Sequence, residues 1–189
     1  MNCAYIFLAD GFEETEALAT LDVLRRGGVQ AYLISTSDQF HVTGSHDIQV
    51  IADMTYGIFC SETEELDPSD ALIFPGGMPG TQNLAEDEDL ITLMRDHYAE
   101  GGIVAAICAA PGLVVSQLPT LAGKRFTCYD GFEAAPIDKG GQYVKAPAVT
   151  DGNLITGRGP AFAIDFGLAI VEKMRGEEKA AEVRAGLLL

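Results

Sequence analysis

The apolar residues of the chain follow two alternating rhythms. Short uncharged runs lie at residues 3–9 (CAYIFLA), 29–35 (VQAYLIS), 71–74 (ALIF) and 103–107 (IVAAI). Such unbroken apolar runs predict strands buried on both faces, as in a parallel sheet covered by helices. Between them the spacing lengthens to three and four. Residues 14–26 bring Ala17, Leu18, Leu21 and Leu24 to one face, with acids first, Arg25 and Arg26 last, and Gly27–Gly28 as a stop. That predicts an amphipathic helix whose charges match its dipole. The same rhythm predicts helices over 88–99, 111–117, 160–174 and about 177–185, with Pro160 suited to a first turn. Further strands are expected at 126–129, 143–149 and 153–156. A Gly-Ser turn and an alternating IQVIA tail predict a small hairpin or edge strand within 42–52. Residues 55–67 are acidic and read as loop. No linker, repeat or low-complexity stretch interrupts the series, so one α/β domain over 1–189 is expected, built on a mostly parallel sheet.

Composition narrows the partners. The chain has 189 residues, enough for a sizeable core. Twelve Lys and Arg stand against twenty-eight Asp and Glu, a net charge of −16. Such a surface repels nucleic-acid backbones and anionic lipid, and it favours solubility. No apolar run approaches the roughly 18–20 residues of a membrane span. The start, MNCAYIFLADGFEE, lacks the basic region of a signal peptide. A cytoplasmic protein is expected, with neither nucleic acid nor membrane as partner. The cysteines Cys3, Cys60, Cys108 and Cys128 form no C-x-x-C pair and no zinc spacing. Reduced thiols are therefore expected, with no metal and no cofactor. Cys3 and Cys128 lie in apolar or strand-like segments, which suits packing.

Candidate chemistry gathers where strands end. In open parallel sheets, sites form at the carboxyl ends of the strands. Four features fall there: ADGFEETE at 9–16, PGGMPG at 75–80, Cys108 within IVAAICAAPG, and GRGPA at 157–161. Cys108 stands where strand gives way to helix. A thiol there faces helix N–H groups and is either a nucleophile or oxidation sensor of low pKa, or an inert buried thiol. Gly76 and Gly77 either make a plain turn or let backbone N–H groups approach an oxyanion. Glu13, Glu14 and Glu16 open a helix, where acids are favoured anyway. One of them turned inward would carry a raised pKa and could move protons; the residues alone do not say which. The histidines offer no evident base for Cys108. His97 sits in a polar helix and is expected at the surface, His41 in a loop, and His46 stays open for a role near the site.

These pieces resemble the ThiJ/PfpI family, within it the DJ-one-like branch that contains the Parkinson-disease-associated deglycase. The matching segments are LADGFEETEA at 8–17, DVLRRGG at 22–28, FPGGMPGTQNL at 74–84, VAAICAAPG at 104–112 and GRGPAFAIDFGLAIVEKMRG at 157–176. They stand in the family's order and span nearly the whole chain. The resemblance implies a flavodoxin-like three-layer sandwich and a homodimer. It implies that Cys108 is the reactive cysteine on a strained elbow, and it picks Glu16 as the carboxylic acid bonded to that sulfur. It implies an oxyanion pocket from the N–H groups of Gly76, Gly77 and Ala109. Arg26 matches a residue brought to the partner's site, and Arg158 and Pro160 match a turn beside the pocket. Two positions depart from relatives: Tyr129 occupies a slot where some carry histidine, and His46 an arginine position.

Two functions follow from the resemblance. In the first, Cys108 attacks methylglyoxal, glyoxal or their early adducts on proteins, and Glu16 moves the proton, a glyoxalase or deglycase reaction without cofactor. In the second, Cys108 is oxidised to sulfinate, making a redox sensor or stress chaperone. A glutamine amidotransferase is disfavoured because no His-x-Glu occurs near the C-terminus. A peptidase is disfavoured because Ala109, not histidine, follows the cysteine.

Overall fold

The computed structural model describes residues 2–63 and 65–189. Its first half runs β1 (Cys3–Leu8), α1 (Glu14–Arg26), β2 (Gln30–Ser35), β3 (His41–Thr43), β4 (Gln49–Ile51), β5 (Met54–Thr55), α2 (Tyr56–Glu62), β6 (Ala71–Phe74), α3 (Gly80–Glu86) and α4 (Glu88–Ala99). Then come β7 (Ile103–Ile107), α5 (Ala110–Leu113), β8 (Arg125–Phe126), α6 (Ala134–Asp138), β9 (Gln142–Tyr143), β10 (Ala148–Asp151), β11 (Leu154–Gly157), α7 (Ala163–Arg175) and α8 (Glu177–Gly186).

Seven strands form the central sheet in the order β10-β11-β7-β6-β1-β2-β5, parallel except for the β10–β11 pair. Side chains alternate across it. Ala4, Ile6, Leu8, Ala71, Ile73, Ile103, Ala105 and Ile107 face one core with α1, α7 and α8. Tyr5, Phe7, Leu72, Phe74, Val104 and Ala106 face the other, with α2 to α5. Both faces of β1, β6 and β7 are thus covered, which is why these strands read as continuous apolar runs. The result is a flavodoxin-like α/β fold, as expected. Among the described residues, no helix is long and apolar enough to cross a membrane.

Some local expectations fail. The acidic stretch after Thr55 carries α2, because Thr55 Oγ1 accepts from Ile58 N at 3.4 Å and caps a helix that buries Phe59. The helix expected over 111–117 is a single turn, α5, followed by a 3-10 turn at Val115–Gln117. The strands expected at 126–129 and 143–149 shrink to β8, β9 and a separate β10. His41 lies in β3. His97 is 3% exposed, because its Nε2 donates to the Asp70 carbonyl at 3.0 Å and its ring packs on Gly102.

Candidate active site

Three chain segments meet at the carboxyl ends of β1, β6 and β7. Cys108 follows β7 with φ of 65°, a strained conformation for a residue with a side chain. Its N–H donates to Gly157 O at 3.0 Å and its carbonyl accepts from Tyr129 N at 2.8 Å, so two neighbouring segments hold the elbow. α1 contributes Glu16, wholly buried. Glu13 caps α1 by accepting from Glu16 N at 2.7 Å. Glu13 N in turn donates to Gly76 O at 2.9 Å, which ties the start of α1 to the turn after β6.

Gly76 is the hinge of this arrangement. A Cβ on it would lie 2.5 Å from Cys108 Cβ, 2.6 Å from Glu16 Oε2 and 2.9 Å from Cys108 Sγ. Only glycine lets thiol, carboxyl and backbone share that space. Its N–H donates to Glu16 Oε2 at 2.7 Å. That N–H therefore holds the acid, whereas the resemblance gave it to an oxyanion. Gly77 has φ of 90° and no room for a side chain against Glu13 N.

The electrostatics couple the pair. Burial pushes the Glu16 carboxyl up to about 7, against the Gly76 N–H and the Cys108 contact, which lower it; the charge of Glu13 adds to the rise. Its Oε1 is buried with no hydrogen-bond partner, so ionisation leaves a bare oxygen. Burial also pushes the Cys108 thiol up, as do the charge and hydrogen bond of Glu16, while the N–H groups of Ala109 and Gly77 pull it down. This reverses the low pKa expected of a thiol at a helix start. The causes are the burial of the sulfur first and the carboxyl beside it second, which together outweigh the N–H groups of Ala109 and Gly77. Pulling one proton from the pair is the easy step, and removing both is opposed by like charge in a buried space.

The remaining expected residues divide. Tyr129 is half exposed; with Arg158, Pro160 and Phe162 it lines a pocket of about 300 Å³ that includes neither Cys108 nor Glu16. Arg158 is committed to Asp130, at 2.9 and 3.0 Å, and its guanidinium lies 5.9 Å from the centre of the Phe162 ring. His46, on the β3–β4 turn, pairs through Nδ1 with Glu14 Oε2 at 2.9 Å. Arg26 bonds Asp22 at 2.6 Å at the far end of α1, ten residues or roughly 15 Å from Glu16. The structure does not bring it to this chain's Cys108.

Nothing in the sequence separates Glu14 from its neighbours, yet it has a distinct role. It is buried and accepts from His46 N at 2.7 Å and Ile48 N at 3.4 Å, anchoring the hairpin to α1. Burial raises its pKa, but the His46 side chain and surrounding N–H groups outweigh this and hold it at about 2. Glu13, Glu14 and His46 place ligand atoms within 4.8 Å of one another, and they are the group of described residues that could hold a metal ion.

Comparisons with known proteins place the chain within a family and a fold. The sequence profile of the DJ-1/PfpI family matches residues 2–173. The chain is 35% identical over 186 residues to protein dj-1beta of Drosophila melanogaster, covering 98% of this chain and 96% of that protein. The crystal structure of the Drosophila protein matches with a TM-score of 0.89 at 35% identity, over 100% of this chain and 99% of that one. Glutathione-independent glyoxalase DJR-1.2 of Caenorhabditis elegans is 30% identical over 177 residues, 94% of this chain and 90% of that protein. Oxidized DJ-1 of Toxoplasma gondii matches with a TM-score of 0.89 at 29% identity, over 100% and 98% of the two chains.

Proposed function

The chain belongs to the DJ-1/PfpI family, and on that premise we propose that it converts small reactive dicarbonyls, with Cys108 as nucleophile and Glu16 as proton carrier. The observation that carries this reading is the wholly buried Glu16 carboxyl packed with the Cys108 thiol, which stands on a strained elbow, around Gly76; burial pushes that carboxyl up to about 7. A group titrating near the working pH both gives and takes protons well. The resemblance to a named glyoxalase supports the substrate class.

The chemistry balances without metal, cofactor or external oxidant. Sγ bonds to the aldehyde carbon of methylglyoxal or glyoxal, and the carbonyl pair moves to oxygen, which takes a proton. Glu16 carboxylate removes the hydrogen from that carbon, and the electron pair moves to the second carbonyl as an enediolate. Glu16 returns the proton to the neighbouring carbon while the hydroxyl proton passes from the first oxygen to the second, giving the thioester of a 2-hydroxy acid. Water breaks the C–S bond, restores the thiol and releases lactate or glycolate. In early adducts on protein thiols or amines that carbon is a carbinol: the protein group leaves with the hydroxyl proton, restoring the aldehyde, and Sγ then adds in the same way. The test is dicarbonyl loss measured with wild type and Cys108→Ser. Equal rates remove this reading.

The same proposal includes a homodimer. Leu18 on α1 and Ile48 and Ile51 on the hairpin are exposed by 36%, 53% and 68%, apolar surface suited to a second copy. A dimer would also give Arg26 a site to serve, on the partner. Cys60, Cys108 and Cys128 carry no disulfide, which fits a reducing, cytoplasmic setting.

A second reading has its own support. The N–H groups of Ala109 and Gly77 act on Cys108 Sγ, and a protonated Glu16 adds a donor. These groups suit a cysteine sulfinate formed stepwise by peroxide. Mass spectrometry after mild peroxide tests it. A two-oxygen gain on Cys108 supports the sensor; oxidation of exposed Cys60 first, with Cys108 unchanged, counts against it.

A further inference from the structure

Cys108 is gripped from both sides, and the two grips are themselves tied together. Its N–H goes to the Gly157 carbonyl at 3.0 Å, and its carbonyl takes the Tyr129 N–H at 2.8 Å. The next residue in each case is charged: Arg158 after Gly157, Asp130 after Tyr129. Arg158 Nη2 donates to both Asp130 oxygens, at 2.9 and 3.0 Å. The contacts run from Cys108 through Gly157, Arg158, Asp130 and Tyr129 back to Cys108, a closed ring around the elbow.

One side of that ring is not built into the sheet. Residues 127–132 belong to no strand or helix. Thr127 bonds Thr156 Oγ1 and the Ala146 carbonyl, at 2.9 and 3.1 Å. The segment then meets Cys108 through the Tyr129 N–H and Arg158 through the Asp130 carboxylate. The Tyr129 ring lies against Gly159, where a Cβ would come within 3.2 Å of its Cδ2. Asp130 also accepts from the Tyr143 hydroxyl at 3.3 Å and from Lys145 Nζ at 3.4 Å, while the Arg158 N–H donates to Pro147 O at 3.0 Å. Residues 143–147 thus hold both ends of the ion pair. A lone exposed pair contributes little, but one carboxylate shared by two cations and a hydroxyl is a network. The elbow needs such support, because a positive φ on a residue with a side chain persists only where its surroundings over-determine it.

We propose that Asp130 is a positioning residue for the nucleophile: through Arg158 it latches the Tyr129 segment to the Gly157 segment and keeps the Cys108 sulfur presented beside Glu16. This rests on Cys108 being the nucleophile of the proposed reaction. Opening the latch lets residues 127–132 draw away, the Cys108 φ relax and the sulfur turn from its place against Gly76. Misplacing a reacting group by about 1 Å costs up to roughly 10²-fold in rate.

The test compares wild type, Asp130→Asn and Asp130→Glu, with Glu182→Gln as a control that breaks the exposed Lys179–Glu182 pair elsewhere. In Asp130→Asn, amide hydrogen exchange read by NMR should be at least about 5-fold faster at Tyr129 and Cys108 and unchanged at Ile6 and Phe7 in β1. Iodoacetamide alkylation of Cys108, which needs no dicarbonyl, should slow by about 3-fold or more. Dicarbonyl kcat should fall about 10-fold with KM within about 2-fold of wild type. Asp130→Glu, which keeps the charge, should recover most of each effect, and Glu182→Gln should match wild type. Unchanged exchange at Tyr129, equal acceleration in β1, or unchanged alkylation of Cys108 would each overturn the latch. A wild type that turns over no dicarbonyl would remove the proposed reaction instead, with exchange and alkylation still deciding whether Asp130 positions the thiol.

Discussion

Glu14 and Glu16 stand two positions apart in the first turn of α1, both buried, and their surroundings push their carboxyls in opposite directions, down to about 2 for Glu14 and up to about 7 for Glu16. Burial raises both. The difference lies in the donors. Glu14 meets the His46 and Ile48 N–H groups, the Ser45 hydroxyl and the His46 ring. Glu16 meets one N–H, from Gly76, and a thiol, and its Oε1 meets nothing. One carboxylate is a structural anion that pins a hairpin. The other is a proton store beside a nucleophile. Neighbouring residues of identical type are divided by what the rest of the chain points at them.

The largest effects should come from the Glu16 side. Cys108→Ser should lower dicarbonyl turnover by roughly 10³-fold or more, since nucleophile and proton carrier act as a unit. Glu16→Gln should cost about 10²–10⁴-fold. It should also change the shape of the pH profile. Wild-type rates should rise as pH increases through about 7, where the pair loses its first proton. The variant should lose that limb. A rate loss in Glu16→Gln with the limb intact would assign the titration to another group.

Stability should move in opposite directions at the two acids. Glu16 has its folded pKa raised from about 4.5 to about 7, so its favourable contribution is complete below pH 4.5 and is lost as pH rises through 7. Glu16→Gln should therefore be the more stable protein above pH 7, by roughly 1–3 kcal/mol in urea unfolding. Glu14 has its folded pKa lowered to about 2, so its contribution is present above pH 4.5 and is lost as pH falls towards 2. Glu14→Gln should destabilise at pH 7 by about 1–3 kcal/mol, because N–H donors lose a charged acceptor. Parallel losses in both variants at pH 7 would break the contrast.

Legibility in the sequence tracks the range of the interaction. The buried strands, α1, and the strand-to-turn position of Cys108 depend on neighbours in sequence, and all three were readable there. The inward turn of one acid was readable as a possibility, but Glu16 was singled out through the family resemblance alone. Its surroundings depend on Gly76, sixty residues away, and on Cys108 beyond it. The Glu14 socket depends on a hairpin turn some thirty residues on, and no local pattern announces it. The raised Cys108 thiol was missed for a related reason. A helix start was visible in AAPG, but neither the burial of the sulfur nor its contact with Glu16 was.

The smallest effect should separate the two kinds of donor to Glu14. The His46 side chain is 69% exposed, whereas its N–H is part of the socket. The imidazole pKa is raised by the Glu14 hydrogen bond and charge. Its contribution is therefore complete below the unfolded value of about 6.5 and disappears as pH rises through the folded value. Solvent screens so exposed a pair, so His46→Ala should lower Tm by about 2 °C or less at pH 5.5 and by less still at pH 9. The acid limb caused by Glu14 should remain, because the backbone donors of His46 and Ile48 are still in place. Thermal scans of wild type, His46→Ala and Glu14→Gln across that range check this. If His46→Ala instead matched Glu14→Gln at every pH, the hairpin would be held by the imidazole, and the Glu14 site would be an ion pair instead of a backbone socket.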